Sequence, residues 1–461
     1  MTRATYPPGV TQHGGRSAAA THRPAVALLP ADADSPALID PGAGERGSLA
    51  PGGGLVALAL LGANVASYVL AVAASHRLAP DAYGELTALL GVLLVACVPA
   101  LAVQAVVARA IARRPAGEVP GVREGTLLVR GALTGLAVAA LAALAAPLLA
   151  RFLHVGTAGP LWVAASLLPF AVQTTVQGLL QGAERFGALA ALIGLQSVGK
   201  AVGLVPLLLG AGPATVLAAL AGGTALVAGA GLLVAGTGRL GPRPALLPGP
   251  REVALAAGGL LGLLALANLD LLLARNLLSG AESGRYAVGS VLAKVAFWLP
   301  QAVAVVALPR LTDPEAGRRL LHAALGVVAG LGALEVAGAA LLARPVLATV
   351  FGAEYGSLAG TAPLFVLQGA ALATVQLVVY RSIALGRGTT GRLVVAAGAL
   401  EVLVLVAVRP GGVASVVLTA ACTAVGLALA AVLAQEHDAR RRARGAAARV
   451  PTDLVPAGAH P

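Results

Sequence analysis

Five ionisable side chains stand inside long apolar stretches of this 461-residue chain: Lys200, Asp270, Lys294, Glu335 and Glu401. A charge at membrane depth costs about 3 kcal/mol on insertion scales, so each is a candidate for work on a charged substrate or a coupling ion. Asp270 lies near the far end of the stretch that begins at Val253, and Lys294 at comparable depth in the stretch that returns. One reading is a buried ion pair in which each group satisfies the other. The other makes Asp270 a proton or sodium site, or a gate that exchanges partners with Lys294. Glu335 and Glu401 are further candidates for ion coupling. Lys200, in the other half of the chain, has no local partner, and a cation there would attract a pyrophosphate in a medium of reduced dielectric. Arg275 stands near the end of its stretch, where its long stem can reach the interface. Gln173, Gln177 and Gln181 recur every four residues on one helix face, placed to bond either sugar hydroxyls or neighbouring helices. Gln104, Gln376 and Tyr380 are similar candidates.

The elements that position these groups follow from composition. The chain is 58% hydrophobic and 11% charged, with mean hydropathy +0.86, against roughly 25% charged residues in a soluble domain. It cannot cover a water-facing surface, and lipid is the solvent that fits. Twelve apolar stretches approach the ~20 residues that span a bilayer, at roughly 55–75, 86–107, 127–149, 158–180, 187–209, 214–236, 253–274, 286–308, 320–342, 359–380, 393–408 and 412–434. The expected organisation is a disordered tail over 1–54, a six-helix lobe over 55–236 and a linker over 237–252. A second six-helix lobe follows over 253–434, then a basic disordered tail over 435–461. The net charge of +12 points away from nucleic acid because of where it sits. With the N-terminus inside, twenty arginines flank the helices on that side and six on the other. The asymmetry predicts a multi-pass cytoplasmic-membrane protein with both termini cytoplasmic. The basic tail serves either that topology or anionic lipid head groups. Cys97 and Cys422 both lie in apolar segments and support neither a disulfide framework nor a zinc site.

An internal repeat runs through the chain. Pro99 and Pro300, and likewise Arg109 and Arg310, are separated by 201 residues. Pro80–Gly84 has a looser counterpart in Gly280–Gly284, and Leu180-Gln-Gly182 in Ala384-Leu-Gly386. Six helices per half make the repeat parallel, about an axis along the membrane normal, with a substrate cavity expected between the halves. Arg109 and Arg310 then occupy equivalent cytoplasmic ends, as paired donors for an anionic head group or as ordinary positive-inside residues. Pro99 and Pro300 are placed to kink the second and eighth helices.

At these landmarks the chain resembles a known family. Leu78-Ala-Pro-Asp-Ala-Tyr-Gly84, Val106-Val-Ala-Arg-Ala110, Leu179-Leu-Gln-Gly-Ala-Glu-Arg-Phe186, Asn268-Leu-Asp-Leu-Leu-Leu-Ala-Arg275, Gly284-Arg-Tyr-Ala287 and Leu308-Pro-Arg310 carry the likeness. They are similar, in order and spacing, to polysaccharide-exporting flippases of the MOP superfamily, the Wzx type. The resemblance implies an all-α integral membrane fold of about twelve helices in a V-shaped, two-lobed transporter. It also implies alternating-access movement of a polyprenyl-pyrophosphate-linked saccharide, with cell-envelope polysaccharide enzymes as possible partners and no cofactor. On it, Asp270 and Arg275 face the cavity together. Relatives include MATE-type drug exporters, which supply the alternative reading.

A membrane glycosyltransferase or ligase needs positioned acids, usually with a metal, on sizeable loops. Here the outward connections are short, the one Asp-x-Asp pair, Asp32-Ala-Asp34, lies in the tail, and His76, His154 and His322 share no ligand spacing. No Walker, GxSxG or HExxH motif occurs, so ATP-driven transport is not encoded in this chain. The charge asymmetry makes a direct prediction. A reporter that fluoresces only in the cytoplasm should be bright when fused after residue 236 or at the C-terminus, and dark after residue 156; the reverse pattern would overturn the assigned orientation.

Overall fold

A computed structural model describes residues 51–112, 122–235, 250–299, 316–385 and 389–447. Of the expected disordered tails over 1–54 and 435–461, residues 51–54 and 435–447 are helical instead; 1–50 and 448–461, most of the linker, Pro300 and Arg310 lie outside the described residues. Within them the secondary structure is helical: α1 (Pro51–Arg77), α2 (Pro80–Ala96), α3 (Val98–Ala112), α4 (Val122–Leu153), α5 (Ala158–Gly182), α6 (Phe186–Val202), α7 (Leu204–Leu208), α8 (Pro213–Ala235), α9 (Pro250–Leu277), α10 (Gly280–Trp298), α11 (Ala316–Val350), a 3-10 turn (Ala353–Gly360), α12 (Ala362–Ala384), α13 (Thr389–Val408) and α14 (Val413–Ala447). Helices suit this solvent because they satisfy their backbone groups internally.

These elements form twelve legs. α2 and α3 make one leg broken at Cys97, and α6 and α7 another broken at Gly203. Pro99 has no N–H to donate to Val95, which interrupts the backbone bonding of the second leg there. Among the described residues ten helical spans are long and apolar enough to cross a membrane, and α9 and α10 are the two legs outside that set. They carry Asp270, Arg275, Tyr286 and Lys294.

The repeat expected from sequence is visible in the packing. In the first lobe α1 packs on α6, α3 on α5, α4 on α5, α5 on α8, and α6 on α8. In the second, α9 packs on α13, α10 on α12, α11 on α12, α12 on α14, and α13 on α14. Each lobe thus has the same neighbours in the same order, a parallel repeat. The fourth leg meets the second through a glycine in both lobes: a side chain on Gly178 would strike the Gln104 carbonyl, and one on Gly369 the Ala293 carbonyl.

The two lobes join chiefly at one end, with α3 also meeting α9 near Val98. One apolar core holds Leu70, Tyr83 and Leu89 of the first lobe together with Leu271, Tyr286, Leu347, Tyr355 and Phe365 of the second. It lies at the arginine-poor end, where α1 meets α2 and α9 meets α10. Towards the arginine-rich end the cores separate. Val107, Leu127, Leu180 and Ile193 build one inside the first lobe, and Leu321, Val328, Leu377 and Leu427 build another inside the second. The result is the expected V, closed at the arginine-poor end. Around it α4 and α11 present exposed Leu144 and Leu341, at 79% and 81%, as a lipid-facing belt.

At the closed end two backbones cross. A Cβ on Gly84 would stand 2.8 Å from Ser283 Oγ and 2.9 Å from the Gly284 nitrogen, and one on Gly284 would collide with the Pro80 carbonyl. Only glycine allows this approach. We expect Gly84→Ala to lower the thermal stability of the solubilised chain by about 1–3 kcal/mol. Gly222→Ala, where nothing lies within 4 Å, should leave it unchanged; equal behaviour of the two variants would refute a tight crossing.

Candidate functional site

Polar groups gather in three places, one in each lobe and one at the join. In the first lobe a cavity of about 250 Å³ lies between α1, α3, α5, α6 and α8. This cavity is inside a lobe; another, of about 400 Å³, lies between the lobes at the arginine-poor end, lined by His76 and Arg77 of one and Phe351 and Glu354 of the other. The walls of the first-lobe cavity carry the amides of Gln104, Gln173, Gln177, Gln181 and Gln196, with Lys200 as its only charged group. The four-residue spacing on α5 puts Gln173, Gln177 and Gln181 along one wall. Gln104, Gln173 and Gln177 are buried at 6%, 2% and 5% exposure. Gln104 Oε1 and the Nε2 atoms of Gln173 and Gln177 have no hydrogen-bond partner. Buried amides left open in this way offer two donors and an acceptor to whatever enters. Lys200 does have a partner, contrary to the sequence reading. Its Nζ donates to the Ala63 carbonyl at 3.0 Å and to Ser67 Oγ at 2.7 Å, tying α6 to α1.

In the second lobe the chemistry reverses. Asp270 is 2% exposed, and its Oδ2 accepts from Tyr286 OH at 2.6 Å and from Gln368 Nε2 at 2.9 Å. Its Oδ1 is buried without a partner. Glu401 of α13, also 2% exposed, stands within electrostatic reach of Asp270, with its Oε1 likewise unpartnered. Lys294 faces the same carboxyl electrostatically, but the two make no ion-pair contact. The expected Asp270–Lys294 salt bridge is therefore replaced by neutral donors. Two acids and one base in a buried site leave one negative charge when all are ionised, and a captured proton removes it. Glu335 does not join this group; it is half-buried on α11, with neither carboxylate oxygen hydrogen-bonded.

The third place is the join. Arg275, 6% exposed, does not snorkel. Its Nε donates to the Leu153 carbonyl at 3.0 Å, and its Nη1 to Ser283 Oγ at 3.0 Å and to the Asp81 carbonyl at 3.1 Å and carboxylate. Leu153 and Asp81 belong to the first lobe, so one arginine spans both. Asn276 donates to the Phe152 carbonyl at 2.5 Å, and His76 bonds the Val350 carbonyl at 2.9 Å, adding two more crossings. Tyr83 and Tyr355 pack across the join with ring centroids 6.4 Å apart. Burial, with Glu354 adding and Arg285 opposing, pushes the Tyr355 hydroxyl up to about 12, so the ring stays neutral within the seal. Arg109 lies in the last turns of α3 at the arginine-rich end and is half-buried. Its proposed partner Arg310 lies outside the described residues.

Sequence reasoning found the glutamine face, Asp270 and Glu401, but missed Tyr286, Gln368, Ser283 and Asp81 as partners. Tyr286 and Asp81 sat within quoted motifs, and nothing local says that Gln368, 98 residues away, reaches Asp270.

No family model and no curated protein matches the chain. Solved structures do. An inward-facing multidrug-resistance MATE transporter of the MOP superfamily is similar with a TM-score of 0.63 at 14% identity, covering 83% of this chain and 96% of that one. An outward-facing one gives 0.57 at 13% identity, covering 84% and 95%. A MOP-superfamily transporter from Pyrococcus furiosus gives 0.58 at 14% identity, again covering 84% and 95%. At such identity the likeness establishes the fold, that of MATE-type transporters.

The Asp270 geometry predicts an order of stability. Asp270→Leu strands the Tyr286 and Gln368 donors and should cost about 2–5 kcal/mol in thermal unfolding of the solubilised chain. Asp270→Asn keeps an acceptor and should cost clearly less; equal losses would argue against these bonds.

Proposed function

We propose that this multi-pass membrane protein is a proton-coupled secondary exporter of polar small molecules that works by alternating access, with its arginine-rich face and both termini in the cytoplasm. The observation that carries the reading is the division of chemistry between two lobes of one plan. The first holds a buried, amide-lined cavity with no acid in its walls. The second holds Asp270 and Glu401, the two fully buried acids among the described residues. Solute and proton then occupy separate lobes and communicate through the join. Lobes that share one core at a single end can rock about that end, exposing the cavity to either face in turn. The neighbouring folds of MATE multidrug transporters, in both inward- and outward-facing forms, support an exporter of this kind.

In the mechanism, solute enters from the arginine-rich side, and the open amides of Gln104, Gln173 and Gln177 bond it. Lys200, fixed to α1, sets a positive potential that repels cations and favours neutral or anionic groups. Closing the arginine-rich side requires the Arg275 links at the other end to break. A proton entering from that side neutralises the Asp270–Glu401 pair and holds that side open while the solute leaves; the lobes then return and the proton is released to the cytoplasm.

A second reading is favoured by the same lysine. The head group of a polyprenyl-pyrophosphate-linked saccharide is anionic and rich in hydroxyls, which suits Lys200 and the glutamines, and its lipid tail would stay in the bilayer. A binding pocket of reversed polarity is likewise described for the Pyrococcus furiosus transporter and read there as a different function. Lipid-linked saccharides stranded on the cytoplasmic face of a deletion strain would select this reading; unchanged sidedness would exclude it.

The coupling is tested in proteoliposomes. An imposed pH gradient should drive accumulation of a transported polar solute, and Asp270→Asn should abolish the gradient-driven component while solute counterflow persists. Undiminished gradient-driven uptake in that variant would remove Asp270 from the coupling.

A further inference from the structure

α9 and α10 form a hairpin whose tip, Leu278-Ser279, lies at the closed end of the V. Two polar rungs cross it. At the tip, Arg275 of α9 donates to Ser283 of α10 at 3.0 Å; deeper, Tyr286 of α10 donates to Asp270 of α9 at 2.6 Å. Ser283 and Tyr286 are three residues apart and so share a face of α10. Between them lies Gly284, whose backbone carries the crossing with Pro80 and Gly84. Behind them Gly289 abuts the Phe365 ring, which also meets Tyr286 edge-on at 5.0 Å between centroids. Rotation of α10 is therefore set on one side by ring packing and on the other by two hydroxyls, of Ser283 at the tip and Tyr286 deeper, and that rotation presents Gly284 to the first lobe.

We infer that Tyr286 is a positioning residue that couples the Asp270 carboxyl to the seal between the lobes. The inference rests on the alternating-access reading. An ionised Asp270 accepts a charge-assisted bond from the Tyr286 hydroxyl, which fixes α10 and keeps Gly284 and Ser283 seated against the first lobe. A neutralised carboxyl holds that hydroxyl less strongly, and the crossing loosens. The ionisable groups facing Asp270 are Tyr286 and Lys294 from α10 and Glu401 from α13; Arg275, on the same helix, faces Asp81 and Glu85 of α2. Among these Tyr286 alone touches both the carboxyl and the packed rings.

Pulsed dipolar distance measurement on the full chain in lipid nanodiscs tests this. Spin labels at the exposed positions Thr157 and Ser357 report the separation of the lobes at the arginine-poor end, with Cys97 and Cys422 replaced by alanine. The parent should be mostly closed at about pH 8 and gain an open population at about pH 5. Tyr286→Phe keeps the ring and loses the bond; it should raise the open-to-closed ratio about tenfold at the higher pH and flatten the pH response. Asp270→Asn should do the same, and the double variant should not exceed either single one, as a shared link requires. Glu401→Gln should displace the pH midpoint yet retain the response. A Tyr286→Phe variant with the parent's pH response, or effects that add in the double variant, would overturn the inference while leaving alternating access intact. A distance that never changes, even in Arg275→Ala, would overturn both.

Discussion

The approach of two backbones at Gly84 and Gly284 is the contact on which the rest of the architecture depends. It brings α2 and α10 close enough for Arg275 to reach carbonyls of the other lobe, for Tyr83 and Tyr355 to meet, and for one apolar core to serve both halves at that end. In lipid there is little hydrophobic drive to hold helices together, so close van der Waals contact and hydrogen bonds must do it. Small residues at a crossing make both available. That the glycines are counterparts in the repeat places the pseudo-symmetry axis close to this contact, so the lobes meet like with like.

Duplication set a common frame, and the two copies then diverged in charge. Amides and one lysine face the interior of the first lobe, acids that of the second. Keeping them apart has an electrostatic logic. An acid beside Lys200 would neutralise it and fill the cavity's open hydrogen-bonding capacity. Amides around Asp270 in greater number would hold it ionised too firmly to exchange a proton.

Much of the frame was legible in sequence because membranes restrict the options. Apolar length predicts legs, arginine counts predict sidedness, and the Pro99 and Gly84 landmarks exposed the repeat. α9 and α10 show the limit: they read as apolar stretches like the others, and apolar length does not say that their partners converge on Asp270. Partners were harder. Periodicity puts Gln173 and Gln177 on one face, yet cannot say that Lys200 turns to Ser67 or that Arg275 points across the join. Those outcomes depend on which legs are neighbours, and contacts such as Gln368 to Asp270 close only when distant helices pack.

The break at Cys97 gives the second leg two allegiances. Above it, α2 lies in the core shared by both lobes; below it, α3 packs chiefly against α5 of its own lobe, while its start at Val98 still meets α9 and the second lobe's core. Pro99 removes the backbone bond that would make these one rod. A leg divided in this way behaves as a universal joint: its upper part can stay clamped to the opposite lobe while its lower part turns with its own. Leverage is then set by where the break falls along the leg, so moving the proline by a turn would change how far the cavity opens without altering a single residue that lines it.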